Sequence, residues 1–343
     1  MLIDKSMLKG TSNRVNLSFP LSTHQECNAI RYRPGAGQGH YESYFQRANH
    51  PDRPLAFWIR YTIFSPRNQP NAAVGELWAI YFDGEARKIT STRDEFPIKH
   101  CRFSSDRLDV NIAGAILSDG VLTGSASGPD GCIVWDLRFE GGQEPLLLLP
   151  RKFYDHGLPK AKSLVGTPNA HYSGRLLVGT QEVDVCDWVG SQNHKWGRRH
   201  TDHYAWGQVA GFDNDPDAFL ELTTARVRVG PLWSPFFTLV VLRVGGQTYA
   251  FNGLWRALLA RGHFNNIHWE FSTANANASI EGYIEATEED FVALRYNNPP
   301  GGYKTCLNSK LAFCQLTLRR AGAEPVTLLT RHRAAFEILT DME

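Results

Sequence analysis

The stretch "PDGCIVWDLRFEGG" (residues 129 to 142) alternates without a break: Ile133, Trp135, Leu137 and Phe139 fall in one phase, Asp136, Arg138 and Glu140 in the other. Successive side chains of an extended chain point to opposite faces, so the pattern specifies a strand with one buried and one wet side. Similar segments, short and rich in aromatic and β-branched residues, occupy 55–64, 75–83, 175–185, 236–252, 267–274 and 310–320. Turn signals punctuate them: Asp83-Gly84, Asp119-Gly120, Asp130-Gly131, Gly245-Gly246 and Pro299-Pro300-Gly301-Gly302. Many short strands at this spacing predict antiparallel sandwiches or barrels. Helix is scarce, the best candidate being 252–262, with Asn252 as cap and Gly262 as stop.

A chain of 343 residues is long enough for two domains. A faint internal similarity agrees: "FEGGQEPLLLLP" (139–150) and "RRAGAEPVTLLT" (319–330) share Gly142 with Gly322, Glu144-Pro145 with Glu324-Pro325 and Leu148-Leu149 with Leu328-Leu329. The expected organisation is an N-terminal arm over 1–20, a first β unit over 21–160 and a second over 161–343.

Charge narrows the partners. With 36 Lys plus Arg against 35 Asp plus Glu, no net field draws in a polyanion, which argues against nucleic acid. Six scattered cysteines without a C-x-x-C pair read as reduced thiols rather than a disulfide frame or zinc knuckle. No segment has the ~20 apolar residues of a spanning helix, nor does the start resemble a signal peptide, so a cytoplasmic location without a transmembrane segment is expected.

The densest chemistry lies in "GSQNHKWGRRHTDHYAWGQVAGF" (190–212). His194, His200 and His203 are spaced by six and three residues, unlike the i, i+4 pair of a helical zinc site, although a strand puts His194 and His200 on one face. "PGAGQGH" (34–40) lacks a following helix to present N–H groups to a phosphate, and no G-x-S-x-G elbow occurs. Neither a cofactor nor a resident metal is expected. Aromatic residues make up 12% of the chain and gather around Tyr41, Tyr44, Phe45, Trp58, Trp78, Trp196, Tyr204 and Trp206, as in a small-molecule cavity with a polar end.

With these residues in view, the chain resembles the two-domain, lipocalin-like family of tocopherol cyclases, hydroxyneurosporene synthases (carotenoid hydratases) and AttH-like proteins. In "HYESYFQRANHP", Glu42, Tyr44 and Phe45 align with the family's opening pattern, with Ser43 in place of glycine and the aromatic Tyr44 where tryptophan is usual. In "NHKWGRRHTDHYAWGQVAGF", Trp196, Gly197, Trp206, Gln208 and Phe212 match, with His194-Lys195 inserted between Asn193 and Trp196. "YNNPPGGYKTCLNSKLAFCQLTL" is similar to a closing strand pair of bacterial relatives.

The resemblance implies an all-β fold of two lipocalin-like antiparallel barrels packed side by side, with one short helix, and 190–212 lining a cleft between them. It implies acid-initiated cyclisation or hydration of a hydrophobic, isoprenoid-like alkene. Glu42 is the first choice of proton donor, with Asp202 and His203, backed by His194, as the alternative. Trp58, Trp78, Tyr44, Trp196, Tyr204 and Trp206 would face substrate and cation, and Asn193 and Gln208 would orient its oxygen. Two other readings stay open: a carrier that leaves a hydrophobic ligand unchanged, and a metal-dependent hydrolase using His194, His200 and His203.

Overall fold

The computed structural model describes residues 24–155 and 157–340; the expected arm over 1–20 lies outside them. Short α1 (His24–Asn28) precedes four antiparallel strands, β1 (His40–Asn49), β2 (Leu55–Ser65), β3 (Val74–Asp83) and β4 (Lys88–Pro97). Strands β5 (Cys101–Phe103), β6 (Asp109–Ile112), β7 (Ala115–Ser118), β8 (Val121–Gly128) and β9 (Gly131–Glu140) follow. After β10 (Leu146–Leu147) and α2 (Lys152–Asp155), two long strands, β11 (Ala161–Val178) and β12 (Gln181–Gly197), complete a sheet in the order β4-β3-β2-β1-β12-β11-β9-β8-β7-β6-β5. It curls until β4 lies beside β8, where the Ser127 N–H donates to Asp94 at 2.9 Å.

The chain then changes sheet. β13 (His203–Phe212), β14 (Asp215–Arg226), the β15–β16 hairpin (Arg228–Val229 and Leu232–Trp233), β17 (Phe237–Val244), β18 (Gln247–Phe251), α3 (Leu254–Leu259), β19 (Arg261–Phe264), β20 (His268–Ala274), β21 (Ala278–Glu285), β22 (Val292–Asn297), β23 (Tyr303–Arg320) and β24 (Ala323–Thr340) complete the described elements. Their sheet runs β18-β17-β14-β13-β24-β23-β21-β20-β19 and also curls, so that Trp269 Nε1 of β20 donates to Thr224 Oγ1 of β14 at 3.1 Å. Two antiparallel barrels packed side by side are the fold that the family resemblance implied, and they agree with the barrels or sandwiches that the strand pattern called for.

Details differ. The segments read as single strands at 175–185 and 236–252 are hairpins, the second turning at Gly245 and Gly246 with φ of 57° and 72°. Positive φ at both central residues is what a tight hairpin turn needs and what glycine gives without a Cβ clash. Among the described residues three short α-helices occur where one was expected, and α3 begins at Leu254 without a side-chain cap; the Asn252 amide instead donates to the Leu148 carbonyl at 3.0 Å. The two similar segments also diverge: 139–150 passes from β9 through a loop into β10, whereas 319–330 is one turn and the start of β24.

A division at 160/161 separates strands that share one ladder, because β11 and β12 pair with β9 and β1. Sheet membership changes between Gly197 and His203, and we propose that point as the boundary of the two units.

Each barrel has its own core. Phe57, Ile59, Tyr61, Trp135 and Leu137 fill the first, and Val209, Leu220, Trp269, Leu316 and Phe336 the second. A third apolar cluster lies between them: Trp58, Trp78, Ile80 and Phe82 come from the first sheet, and Tyr204, Trp206, Tyr296 and Leu339 from the second. The pleat explains the split. In β2, Phe57, Ile59 and Tyr61 point into the barrel while Trp58 and Arg60 point to the neighbour, so strands that read as unbroken apolar runs are buried on both faces.

Candidate active site at the seam between the barrels

Residues 190–212 are not one site. They form the end of β12, a short crossing and β13, and the pleat sends alternate side chains to different places. Gln192, His194 and Trp196 enter the first barrel, whereas Ser191, Asn193 and Lys195 join Tyr204, Trp206 and Gln208 at the seam.

The first-barrel set surrounds Glu42. This fully buried carboxyl accepts the Arg31 N–H at 2.7 Å, the Tyr32 N–H at 2.7 Å, the Tyr44 hydroxyl at 3.3 Å and ring nitrogens of His40 at 2.9 Å and His194 at 2.8 Å. Burial pushes its pKa up, but the hydrogen bonds and charge of the two imidazoles outweigh burial and hold it below the usual carboxylate range. That environment is the opposite of what a general acid requires. His194 presents Nδ1 to the Cys27 carbonyl at 2.7 Å and Nε2 to Glu42, two acceptors that only a doubly protonated ring satisfies together. Burial lowers the pKa of this ring, and the hydrogen bond and charge of Glu42 pull the other way without fully outweighing it. Tyr44 stacks on the ring at 4.3 Å and Trp196 lies at 4.6 Å.

Among the described residues, the hydrogen-bond partners of Glu42, Gln192 and His194 beyond the strands belong to 27–32, while Trp196 also packs against Tyr154 of α2 at 6.0 Å. Gln192 exchanges two amide hydrogen bonds with Asn28, at 2.9 and 3.0 Å, so Glu42, Gln192 and His194 fasten the segment from α1 to Tyr32 into the first barrel. The Trp196-Gly197 pair of the sequence motif has a local reason. A β-carbon at Gly197 would collide with the Lys160 carbonyl and sit 3.0 Å from the Tyr41 ring.

Asp202 and His203 lie apart from both sets. Asp202 is ion-paired with Arg199 and accepts the Arg228 N–H at 2.9 Å, which fixes the crossing. His203 sits between Phe236 and Phe264, with centroids 5.9 and 5.0 Å away. His200 stacks on Tyr41 at 4.1 Å. The three histidines therefore do not converge, and no group of three His, Cys, Asp or Glu among the described residues is placed to hold a metal.

The seam carries the other candidates. Phe45 meets Trp58 at 6.2 Å and Trp206 edge-on at 6.0 Å, and Trp78 meets Tyr296 edge-on at 5.8 Å. The rings are packed against one another rather than lining an open hollow: Trp58, Trp78, Tyr204 and Trp206 are at most 9% exposed. Among them runs a hydrogen-bonded chain. Asn193 Nδ2 donates to Ser191 Oγ at 2.9 Å, Ser191 Oγ to Gln208 Oε1 at 2.6 Å, and Gln208 Nε2 to both Asn193 Oδ1 and Glu221 Oε2 at 2.8 Å.

Glu221, which the sequence reading did not single out, ends this chain. Its other oxygen accepts Trp206 Nε1 at 2.8 Å, and burial pushes its pKa up to about 7, against the opposing pull of Trp206, Gln208 and Arg47. The signal was present: "AFLELTTA" carries one acid inside an apolar strand, directly opposite Gln208 in the ladder. Lone charges in "FWIRYTIF" (Arg60), "NSKLAF" (Lys310) and "AAFEILT" (Glu337) also reach the seam. Lys310 Nζ lies 2.9 Å from Glu337 and 5.9 and 5.7 Å from the Trp58 and Trp206 rings. Burial lowers its pKa.

No protein-family pattern matches the chain. Over 288 residues it is 23% identical to an uncharacterised Mycobacterium tuberculosis protein present in strains H37Rv and CDC 1551, covering 84% of this chain and 83% of that one. An AttH-type protein of Nitrosomonas europaea superposes with a TM-score of 0.55 at 13% identity, over 91% of this chain and 97% of that one. CghA in complex with Sch210972 gives 0.52 at 11% identity, over 95% and 97%. Kievitone hydratase of Nectria haematococca gives 0.50 at 12%, over 94% and 96%. These likenesses extend over nearly the whole of each solved chain and concern the course of the strands. The chain shares the two-barrel fold of AttH, CghA and kievitone hydratase.

Proposed function

We propose that the protein is an acid-initiated cyclase or hydratase of a hydrophobic, isoprenoid-like alkene, working at the seam with Glu221 as proton donor. The observation that carries this reading is the setting of Glu221: a buried carboxyl with a raised pKa, held by Trp206 and Gln208 in a ring-lined seam. A carboxyl in that range is partly protonated at neutral pH and strong enough to donate. Trp206, Trp58 and Phe45 would present ring faces to the resulting cation, worth about 0.5–2 kcal/mol each when desolvated. Gln208 and Asn193 would hold the oxygen that captures it, whether an internal hydroxyl or water. Kievitone hydratase and CghA, the latter solved with Sch210972, have this fold, which supports a hydratase-type reaction on a small molecule.

The test is turnover of prenylated phenols in deuterium oxide. Protonation of an alkene by the enzyme places one solvent deuteron on carbon, read by mass spectrometry. Glu221→Gln should lower kcat by about 10²- to 10⁴-fold while quenching of tryptophan fluorescence by the substrate persists. Unaltered turnover in that variant would remove Glu221 from the reaction, and ligand recovered intact from the wild type across the panel would leave a carrier.

A further inference from the structure

Beside the acid, the seam holds two basic side chains with no carboxylate in ion-pair contact among the described residues; burial lowers the pKa of Lys195, against the longer-range pull of Glu337 and Glu221. Arg60 of β2, 6% exposed, gives Nε and Nη2 to the neutral Ser43 hydroxyl at 3.0 and 2.6 Å and lies over the Tyr296 ring at 4.5 Å. Lys195 of β12, partly buried, reaches the Tyr204 hydroxyl at 3.3 Å. Neither has a carboxylate ion-pair partner among the described residues. They are neighbours, because Ser43, which holds Arg60, is directly opposite Lys195 in the β1–β12 ladder. Glu337 is already taken by Lys310 and by Asn308, each at 2.9 Å. Removing a charge from water without a partner is costly, and two adjacent like charges add to that cost.

Two further polar atoms on the same face have no partner. The Tyr41 hydroxyl is a buried donor without an acceptor, and His200 Nδ1 is buried and unsatisfied. Because His200 Nε2–H donates to the Asn297 carbonyl at 3.1 Å, Nδ1 of the neutral ring is an acceptor. The Tyr41 and His200 rings stack at 4.1 Å, and His200 lies 5.8 Å from the Tyr296 ring that Arg60 covers. Native interiors rarely leave so many buried groups unmatched in one place.

We propose that this end of the seam binds an acidic head group, a carboxylate or an enolate, with Arg60, Lys195 and the Tyr41 hydroxyl on the anionic oxygens and His200 Nδ1 accepting an adjacent hydroxyl of the ligand. The substrate of the proposed reaction is then an amphiphilic acid with its head on Arg60 and Lys195 and its apolar part among Trp58, Trp206 and Phe45. Ser43 becomes a positioning residue: it stands where the related motif has glycine, and it orients the Arg60 guanidinium. The inference rests on the seam being the ligand site, but not on Glu221 being the acid.

Farnesoic acid and farnesol, which differ only in the head group, separate the possibilities. Binding followed through seam tryptophan fluorescence should favour the acid by about tenfold to a hundredfold, the range of a charge-assisted hydrogen bond. Lys195→Met and Arg60→Met should abolish that preference and leave farnesol binding in place. Lys195→Arg should retain the preference, which guards against reading misfolding as lost recognition. Equal affinities for acid and alcohol, or a preference surviving in both methionine variants, would overturn the acidic-head inference while sparing the ligand-binding seam. No binding of either compound to the wild type would overturn both.

Discussion

Glu42 and Glu221 are both buried glutamates, and their surroundings drive them apart. Two backbone N–H groups, two imidazoles and a phenol converge on Glu42, whereas Glu221 has only an indole and an amide. For Glu221 the folded-state pKa, about 7, lies above its ordinary value of 4.5, so the native state holds a proton that the unfolded chain releases earlier. Its ionisation destabilises the fold progressively from about pH 4.5 to about 7, by an amount bounded near 3 kcal/mol at 1.36 kcal/mol per unit. Glu221→Gln should therefore gain thermal stability over the wild type at pH 8 and show little gain at pH 4.5, in paired melting curves. A gain that is the same at both values would contradict the raised pKa. The sign reverses for Glu42: its depressed pKa contributes stability above the ordinary carboxylate range, lost on acidification. Glu42→Gln should cost about 3–5 kcal/mol at pH 7, as when one member of a buried charged pair is removed, measured by urea denaturation.

At the scale of the strand, the alternation in "CIVWDLRFE" announced a half-buried strand because it depends on neighbours in sequence, and the Gly245-Gly246 turn signal is equally local although the segment around it reads as one strand. Which face of β12 meets which barrel depends on its pairing with β1 and on the crossing at 198–202, neither of which leaves a local trace. That is why His194 and Lys195, adjacent in the chain, seemed to belong to one polar rim. Trp58, Trp78, Tyr204, Trp206, Asn193 and Gln208 do come together at the seam, while Glu42, Tyr44, His194 and Trp196 gather in the first barrel. Gly197→Ala tests the crossing. The added methyl meets the Lys160 carbonyl, which is backbone and cannot swing aside, so a loss of about 1–3 kcal/mol is expected by chemical denaturation. A neutral result would mean that β11 yields.

Across the whole molecule the barrels are joined by more than packed rings. Arg47 of β1, fully buried, donates to the Arg333 carbonyl at 3.2 and 3.3 Å, and Asn49 donates to the Lys310 and His332 carbonyls at 2.7 and 3.1 Å. Separating the barrels would strand these groups together with the seam aromatics. Calorimetry should record one cooperative transition, with calorimetric and van 't Hoff enthalpies in agreement; two resolved peaks would show that the units melt independently. The pleat of β12 also bears on how such a protein diversifies. Alternate positions answer to separate demands, so exchanging Asn193 or Lys195 retunes what the protein accepts while the lock formed by Gln192 and His194 is inherited intact. Inserting or deleting a single residue there has the reverse effect, swapping the two roles at a stroke, so lineages of this architecture should vary β12 by replacement and hold its length constant.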